Sequence, residues 1–329
     1  MPLTHKLARS VVVITGASSG IGAATALDLA RRGTMLALAG RAEAPLRTVA
    51  TRCSDLGGPA IAVRTDVTDP VQQERLAARA LDRFGRIDAW VNNAAVGTYQ
   101  LLPHASAAEF RRIIETNLLG VAYGCMAAIP PLRAAGGGVI VNHASALADA
   151  SLPYLSAYTA AKHGVRGLSD SLRQDLRVTG DTTISVCTLL PATLDTPFWD
   201  HAGNHSGRSL RPPPPVYPPE LAARAIRRLL QHPRRQVYVG GAARLLAVAS
   251  RLTPGLMDRF LGMYGARALF RPDMAPTTEG NIFRAVSGEE PRVDGGWHGR
   301  RRHATRTAVV MGAAAGVAAA LARRPFRPL

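Results

Sequence analysis

Lysine is almost missing from this sequence. It occurs only as Lys6 and Lys162, so nearly all of the 40 basic residues are arginine. Cysteine is scarce as well. Cys53, Cys125 and Cys187 stand far apart, cannot all pair and lack metal-type spacing. That excludes a disulfide scaffold, gives no metal site and suits a reducing compartment. Aromatic residues make up 5% and do not interleave with the arginines, so the basic charge reads as a solvated surface and no nucleic-acid partner is expected. Met1 to Arg9 is too short and polar for a secretory leader, and a cytoplasmic location follows as the expectation.

Acids number 23, and the net charge is +17. Residues 291–329 carry eight arginines against the single acid Asp294. The remaining excess is spread over predicted helices. With 47% apolar residues in 329, the chain can bury a sizeable core and is globular over most of its length.

Apolar runs of strand length alternate with longer stretches of helical period, the pattern of βαβ units. Strands are expected at Val11–Thr15, Met35–Ala39, Ala60–Thr65, Ala89–Val91, Val139–His143, Ile184–Leu190 and Gln236–Val239. Several are apolar throughout, as strands covered on both faces are. Helices are expected near 20–32, 43–57, 70–84, 106–134, 154–179 and 219–231. The fold class is therefore α/β, a doubly wound Rossmann-type sheet of seven parallel strands with helices on both faces. No internal repeat is visible. The Rossmann-type domain spans 1–242, a helical and irregular extension 243–299, and a basic, alanine-rich tail 300–329. Asn204–Pro219, with Pro212–Pro215 in a row, is neither helix nor central strand; it is a flap or a plain surface loop. Arg244–Phe270 reads as two apolar helices broken at Pro254–Gly255, and Arg271–Trp297 as irregular.

Val11–Gly22 runs from strand through a glycine turn into a helix start. Gly16, Gly20 and Gly22 let backbone approach a pyrophosphate, and the helix start, with Ser18, Ser19 and Ile21, offers unpaired N–H groups. The second strand ends Ala39-Gly40-Arg41, without the acid that grips a ribose 2′-hydroxyl in NAD-binding sheets. A guanidinium suits a 2′-phosphate, so NADP(H) is expected over NAD(H), unless Arg41 is one more surface arginine.

Tyr158 and Lys162 stand one helical turn apart. A free phenol titrates near ~10, and a neighbouring ammonium stabilises the phenolate and lowers that value. Lysine is a compact point charge, unlike the guanidinium used elsewhere in this chain. Ser145 follows the strand Val139–His143, where its hydroxyl can polarise a substrate carbonyl. Asn117 is an amide inside an apolar helix; it holds a kink or a water, or simply bonds its own helix.

Together, Thr15–Gly22, Asn92-Asn93-Ala94-Ala95, Asn117, Ser145, Tyr158/Lys162 and Pro191-Ala192-Thr193-Leu194-Asp195-Thr196 resemble the short-chain dehydrogenase/reductase family over about residues 8–242. The resemblance implies a tetrad of Asn117, Ser145, Tyr158 and Lys162. It implies Asp66 and Val67 near the adenine, Asn93 and Ala94 along the cofactor, Thr196 near the carboxamide, and Pro191 and Thr193 beside it. It also implies a homodimer or homotetramer through the tyrosine helix, where Ala157, Ala160, Ala161 and Gly164 are small enough for close contact. The chain departs from the family pattern at Ala95 and Ala192, which stand where glycine is usual. At position 143 a histidine, packed or tuning the pocket, replaces a small or apolar residue.

The expected activity is hydride transfer between nicotinamide and a small-molecule carbonyl or alcohol, lipophilic in character. A sensor that binds NADP(H) without turnover, or a scaffold acting through its tail, is the alternative. In the tail, Thr307–Ala322 is apolar and bracketed by arginines; it contacts a membrane, packs on the protein or stays loose. The sequence leaves substrate identity and reaction direction open.

Overall fold

The computed structural model describes residue 3, residues 5–286 and residues 290–297. The tail 300–329, and with it the membrane contact, packing or looseness expected of Thr307–Ala322, lies outside the described residues.

Seven strands form one parallel sheet: β1 (Val11–Thr15), β2 (Met35–Gly40), β3 (Ala60–Arg64), β4 (Ala89–Asn92), β5 (Gly138–His143), β6 (Ile184–Pro191) and β7 (Gln236–Val239). Their spatial order is β7-β6-β5-β4-β1-β2-β3. Every residue of β1 is buried, because successive side chains feed two different cores. Val12 and Ile14 join the core under α1 (Gly20–Ala30), α2 (Glu43–Asp55) and α8 (Pro219–Gln231). Val13 joins the opposite core, under α3 (Pro70–Phe84), α5 (Gly120–Ala134) and α6 (Ser156–Val178). Strand β5 divides likewise, Val139 and Val141 to one side and Ile140 to the other. The expected doubly wound fold is what the chain adopts.

Local chemistry sets the helix ends. At α3 the Asp69 carboxylate accepts from the Val71 and Gln72 N–H groups, Pro70 occupies the first turn, and Gly85 closes the helix in a left-handed conformation. The chain order reverses between β1 and β4, which opens a crevice beyond their carboxyl ends.

The structure amends the sequence reading in three places. The single helix expected over 106–134 is α4 (Ala107–Ile114), a π-helical turn (Glu115–Leu119) and α5. Its span, Ala107–Ala134, is long and apolar enough to cross a membrane, yet half of the apolar 18-residue stretch within it is buried in the fold. Residues 204–219 and 271–297 are not wholly irregular, since Arg208–Leu210 pairs antiparallel with Phe270–Met274. The small residues of α6 are largely spent inside the chain: Ala157 and Ala161 are buried, and a Cβ on Gly164 would lie 2.8 Å from Leu118. Of the four, only Ala160 is exposed.

The expected helix pair is α9 (Gly241–Leu252) and α10 (Pro254–Ala268). It breaks at Pro254, as proline requires. It packs over the loops at the sheet's carboxyl end, where Gly265 touches Leu152 and Pro153.

Candidate active site

The loops after β1 and β4 clasp one another. The Thr15 hydroxyl accepts from the Asn93 and Ala94 N–H groups at 3.0 and 3.2 Å, and the Asn93 amide donates to the Thr15 and Gly16 carbonyls at 3.0 and 3.1 Å. Gly16 has φ +64°, and a Cβ there would lie 2.7 Å from the Ala94 Cα. The approach is backbone to backbone, so only glycine fits. Gly22 serves the same closeness from behind: its Cβ would stand 2.2 Å from the Gly16 carbonyl oxygen, and it does not line the crevice. Ser18, Ser19, Gly20 and Ile21 do. Ser19 precedes α1 without capping it through its side chain, which leaves its hydroxyl available beside the helix N-terminus.

Arg41, Asp66 and Val67 wall the far end of the crevice. Asp66 accepts from Arg112 at 2.5 Å and from the Thr68 hydroxyl at 2.9 Å. Burial would raise this carboxyl, but the bonds from Thr68 and Arg112 outweigh it and hold Asp66 below the ordinary carboxylate value. Arg41 donates to two backbone carbonyls, Ile282 at 3.0 Å and Asn281 at 2.5 Å. Beyond it opens a recess lined by Arg47, Arg64, Arg75, Arg79 and Arg284, with Glu43 and Asp66 as its acids.

Tyr158 and Lys162 reach the crevice from the first two turns of α6, and Ser145 from the turn after β5. Ser145 lies near enough to the Tyr158 phenol to draw its pKa down by hydrogen bonding, and its hydroxyl accepts from the Leu147 N–H at 3.1 Å. Lys162 is buried; its Nζ donates to the His143 carbonyl at 2.8 Å and lies 5.5 Å from the Tyr158 ring centroid. Burial pushes the phenol up to about 12, and the Ser145 bond pulls the other way. Burial also brings Lys162 down to about 7. Burial, which disfavours either charge, thus outweighs the lowering of the phenol expected from Lys162.

Asn117 does not reach the crevice wall. It is fully buried in the π-helical turn, where its Oδ1 accepts from the Val96 N–H and its Nδ2 donates to the Val96 carbonyl, both at 2.8 Å. The extra residue of that turn swings the amide out of its own helix and onto the loop after β4. Asn117 ties the π-helical turn to the Val96 loop, and the reading that it bonds its own helix is wrong.

Pro191 at the end of β6, and Thr193 and Thr196 beyond it, line the crevice, and so do Asn93 and Ala94. His143 is a packed histidine: its Nδ1 pairs with Asn93 Oδ1 at 3.0 Å, and burial, with the Lys162 charge, lowers it to about 3. Several wall residues escaped the sequence reading. In α7 (Phe198–His201), Phe198 lies tilted against Tyr158 with centroids 5.8 Å apart, and Trp199 tilted against Tyr99 at the same distance. The pair follows Pro197 directly, a signal that was available. Helices α9 and α10 add Leu246, Met257, Phe260 and Leu261. The whole cleft measures about 650 Å³, a usual size for a small-molecule site. Among the described residues, no His, Cys, Asp and Glu cluster that could hold a metal is present.

A family model described as short chain dehydrogenase matches residues 10–206. An uncharacterized oxidoreductase of Bacillus subtilis, YxnA, is 34% identical over 308 residues, covering 92% of this chain and 85% of the relative. A D-beta-hydroxybutyrate dehydrogenase of Rhizobium meliloti is 37% identical over 53% of this chain and 69% of its own. Among solved structures, an alcohol dehydrogenase from the archaeon Thermococcus sibiricus, complexed with 5-hydroxy-NADP, matches with TM-score 0.61 and 29% identity, covering 70% of this chain and 95% of that one. A short chain dehydrogenase/reductase from Burkholderia phymatum in complex with NAD matches with TM-score 0.67 and 28% identity, covering 75% and 94%.

Proposed function

The chain belongs to the short chain dehydrogenase family, and on that premise we propose that it is an NADP(H)-dependent oxidoreductase acting on a lipophilic carbonyl or secondary alcohol. The observation that carries this reading is the convergence of Tyr158, Ser145 and Lys162 on one wall of a cleft whose other wall is the glycine loop.

The residues present fit a dinucleotide. The Gly16 turn approaches Ala94 more closely than any side chain allows, and the first turn of α1 beyond Gly20, whose own N–H is bonded to the Arg292 carbonyl, presents N–H groups to a diphosphate. Ser18, Ser19, Ile21, Asp66, Val67, Asn93, Ala94, Thr193 and Thr196 would hold it. Arg41 and the arginine-rich recess beyond it favour a ribose phosphate over a bare hydroxyl. When bound, nicotinamide supplies or accepts the hydride.

The chain's own groups manage the proton. In reduction Tyr158 donates from its phenol to the substrate oxygen, while Ser145 hydrogen-bonds that oxygen and polarises the carbonyl. The protonated Lys162, its Nζ 5.5 Å from the ring centroid, stabilises the resulting phenolate. Oxidation runs the same transfers backwards, with Tyr158 as base. Asn117 keeps the Val96 loop in place beside them. The apolar walls from α9, α10, Phe198 and Trp199 give a lipophilic substrate its environment. The three cysteines are buried and unpaired, in keeping with a reducing, cytoplasmic compartment.

The test is NADPH oxidation over a panel of ketones and aldehydes, with Tyr158→Phe alongside wild type. Turnover by the wild type and a loss of roughly 10²–10⁴ in the variant, with NADPH affinity retained, is the expected result. NADPH binding by the wild type without turnover on any carbonyl points to a sensor instead.

A further inference from the structure

We propose that the C-terminal segment, residues 279–286 and 290–297, is an integral part of the cofactor site, presetting the Arg41 guanidinium for a ribose phosphate at one end and capping the phosphate loop at the other. This rests on the NADP(H) reading above and goes beyond it, because the segment lies outside the sheet and its loops.

The first anchor is Ile282. Its side chain is fully buried with Val96, Ile113 and Ala157, and the Asn281 N–H donates to the His201 carbonyl at 2.8 Å. Gly280, at φ +56°, turns the chain so tightly that a Cβ would lie 2.3 Å from that same carbonyl. These contacts fix the carbonyls of Asn281 and Ile282, the two acceptors of Arg41. Arg112 also reaches the Ile282 carbonyl, at 3.5 Å, while it holds Asp66. Two of the five N–H donors on Arg41 are therefore committed, and the guanidinium plane is set. The other donors remain for a phosphate, and an arginine already ordered loses less side-chain entropy when it binds one.

The second anchor is at the phosphate loop. The Arg292 carbonyl accepts from the Gly20 N–H at 3.0 Å, and its guanidinium donates to Asp200 at 2.9 Å. The Gly295 and Trp297 N–H groups both donate to Asp195 Oδ1, at 2.8 and 3.0 Å. A Cβ on Gly295 would lie 2.6 Å from the Thr196 carbonyl oxygen, so the segment lies directly on the loop after β6. It thus touches both ends of the crevice, and Asn281, Ala285, Pro291 and Arg292 belong to its wall.

Presetting acts on the phosphate that distinguishes NADPH from NADH, which gives a test by binding alone. Dissociation constants for both nucleotides are measured by nucleotide fluorescence on the full chain. Ile282→Ala, which loosens the anchor, raises the NADPH value about tenfold and the NADH value by less than about twofold; Ile282→Val stays within about twofold of wild type for both. Equal losses for the two nucleotides mean a merely structural role and overturn the proposal, as does no change. Tighter NADPH binding by Ile282→Ala also overturns it, since the segment then competes with the cofactor. A Gly295→Val variant checks the far anchor: faster release of both nucleotides is expected, and unchanged release refutes the cap. A wild type that binds NADPH and NADH alike fails one step earlier, at the cofactor reading, and takes the proposal with it.

Discussion

The Nζ of Lys162 lies 5.5 Å from the centre of the Tyr158 ring, in a place where burial lowers the lysine to about 7. Placing a cation there costs folding free energy. Because the folded value lies below the unfolded one, the cost is fully present below about pH 7 and fades as the pH rises toward the ordinary lysine value. Lys162→Met should therefore melt higher than wild type at pH 6, by roughly 3–6 °C, with the gap closing by pH 10, while turnover is lost. Thermal melts at the two pH values decide it. A variant less stable than wild type at pH 6 means that the bond to the His143 carbonyl outweighs the burial of charge.

Asn117 makes a different kind of contribution. Asn117→Ala orphans the buried N–H and carbonyl of Val96, at a cost of about 2–4 kcal/mol. The loop after β4 loosens against the pocket, while Tyr158, Ser145 and Lys162 stay in place. Denaturant melts should register the loss. Steady-state kinetics should show kcat falling roughly tenfold with NADPH affinity within about twofold of wild type. A larger fall in affinity than in kcat places Asn117 on the cofactor side of the site.

How far the sequence carries this picture depends on whether side chains or backbone make the contact. Apolar runs such as Val11–Thr15 announce buried strands, and Tyr158, Lys162 and Ser145 announce their chemistry by residue type and spacing. The π-helical turn at Glu115–Leu119 was hidden, because a helix with one extra residue keeps the apolar content of an ordinary one. The C-terminal segment was hidden for another reason. Its contacts with Arg41 and Gly20 are made by the carbonyls of Asn281, Ile282 and Arg292, and a carbonyl carries no residue signature. The fold and the Tyr158–Lys162 pair were legible; the carbonyl contacts made by Asn281, Ile282 and Arg292 were not.

His143 sits between these cases. Asn93 spends its amide N–H groups on Thr15 and Gly16, so its Oδ1 must accept, and the neutral imidazole donates from Nδ1. Burial holds His143 at about 3, well below its unfolded value. Wild type therefore loses stability as the pH falls from about 6.5 toward 3, where the unfolded chain takes up a proton that the folded one refuses. His143→Leu leaves Asn93 Oδ1 unpaired and should cost about 1–3 kcal/mol at pH 8. That deficit should narrow at pH 5, since the variant has no proton to refuse. Urea melts at both pH values measure it, and a deficit that widens on acidification would show that the imidazole is charged in the fold.

The pocket makes its own statement about substrate. Between Tyr158 and the outer helices its walls are Leu147, Leu152, Leu155, Leu246, Met257 and Leu261; a carboxylate tail would find no cation among them. Each methylene buried there is worth up to ~0.8 kcal/mol, or a factor of about three to four in binding. Across a series of straight-chain 2-ketones, KM should fall by up to that factor per added carbon until the cleft is filled, while kcat changes little. Keto acids of equal length should bind more weakly, because their charge must be desolvated without a partner. Met257→Asp should raise KM for the long ketones and spare acetone-sized ones. A flat chain-length series, or a preference for the keto acid, would remove the lipophilic assignment while leaving the proton chemistry of Tyr158 untouched.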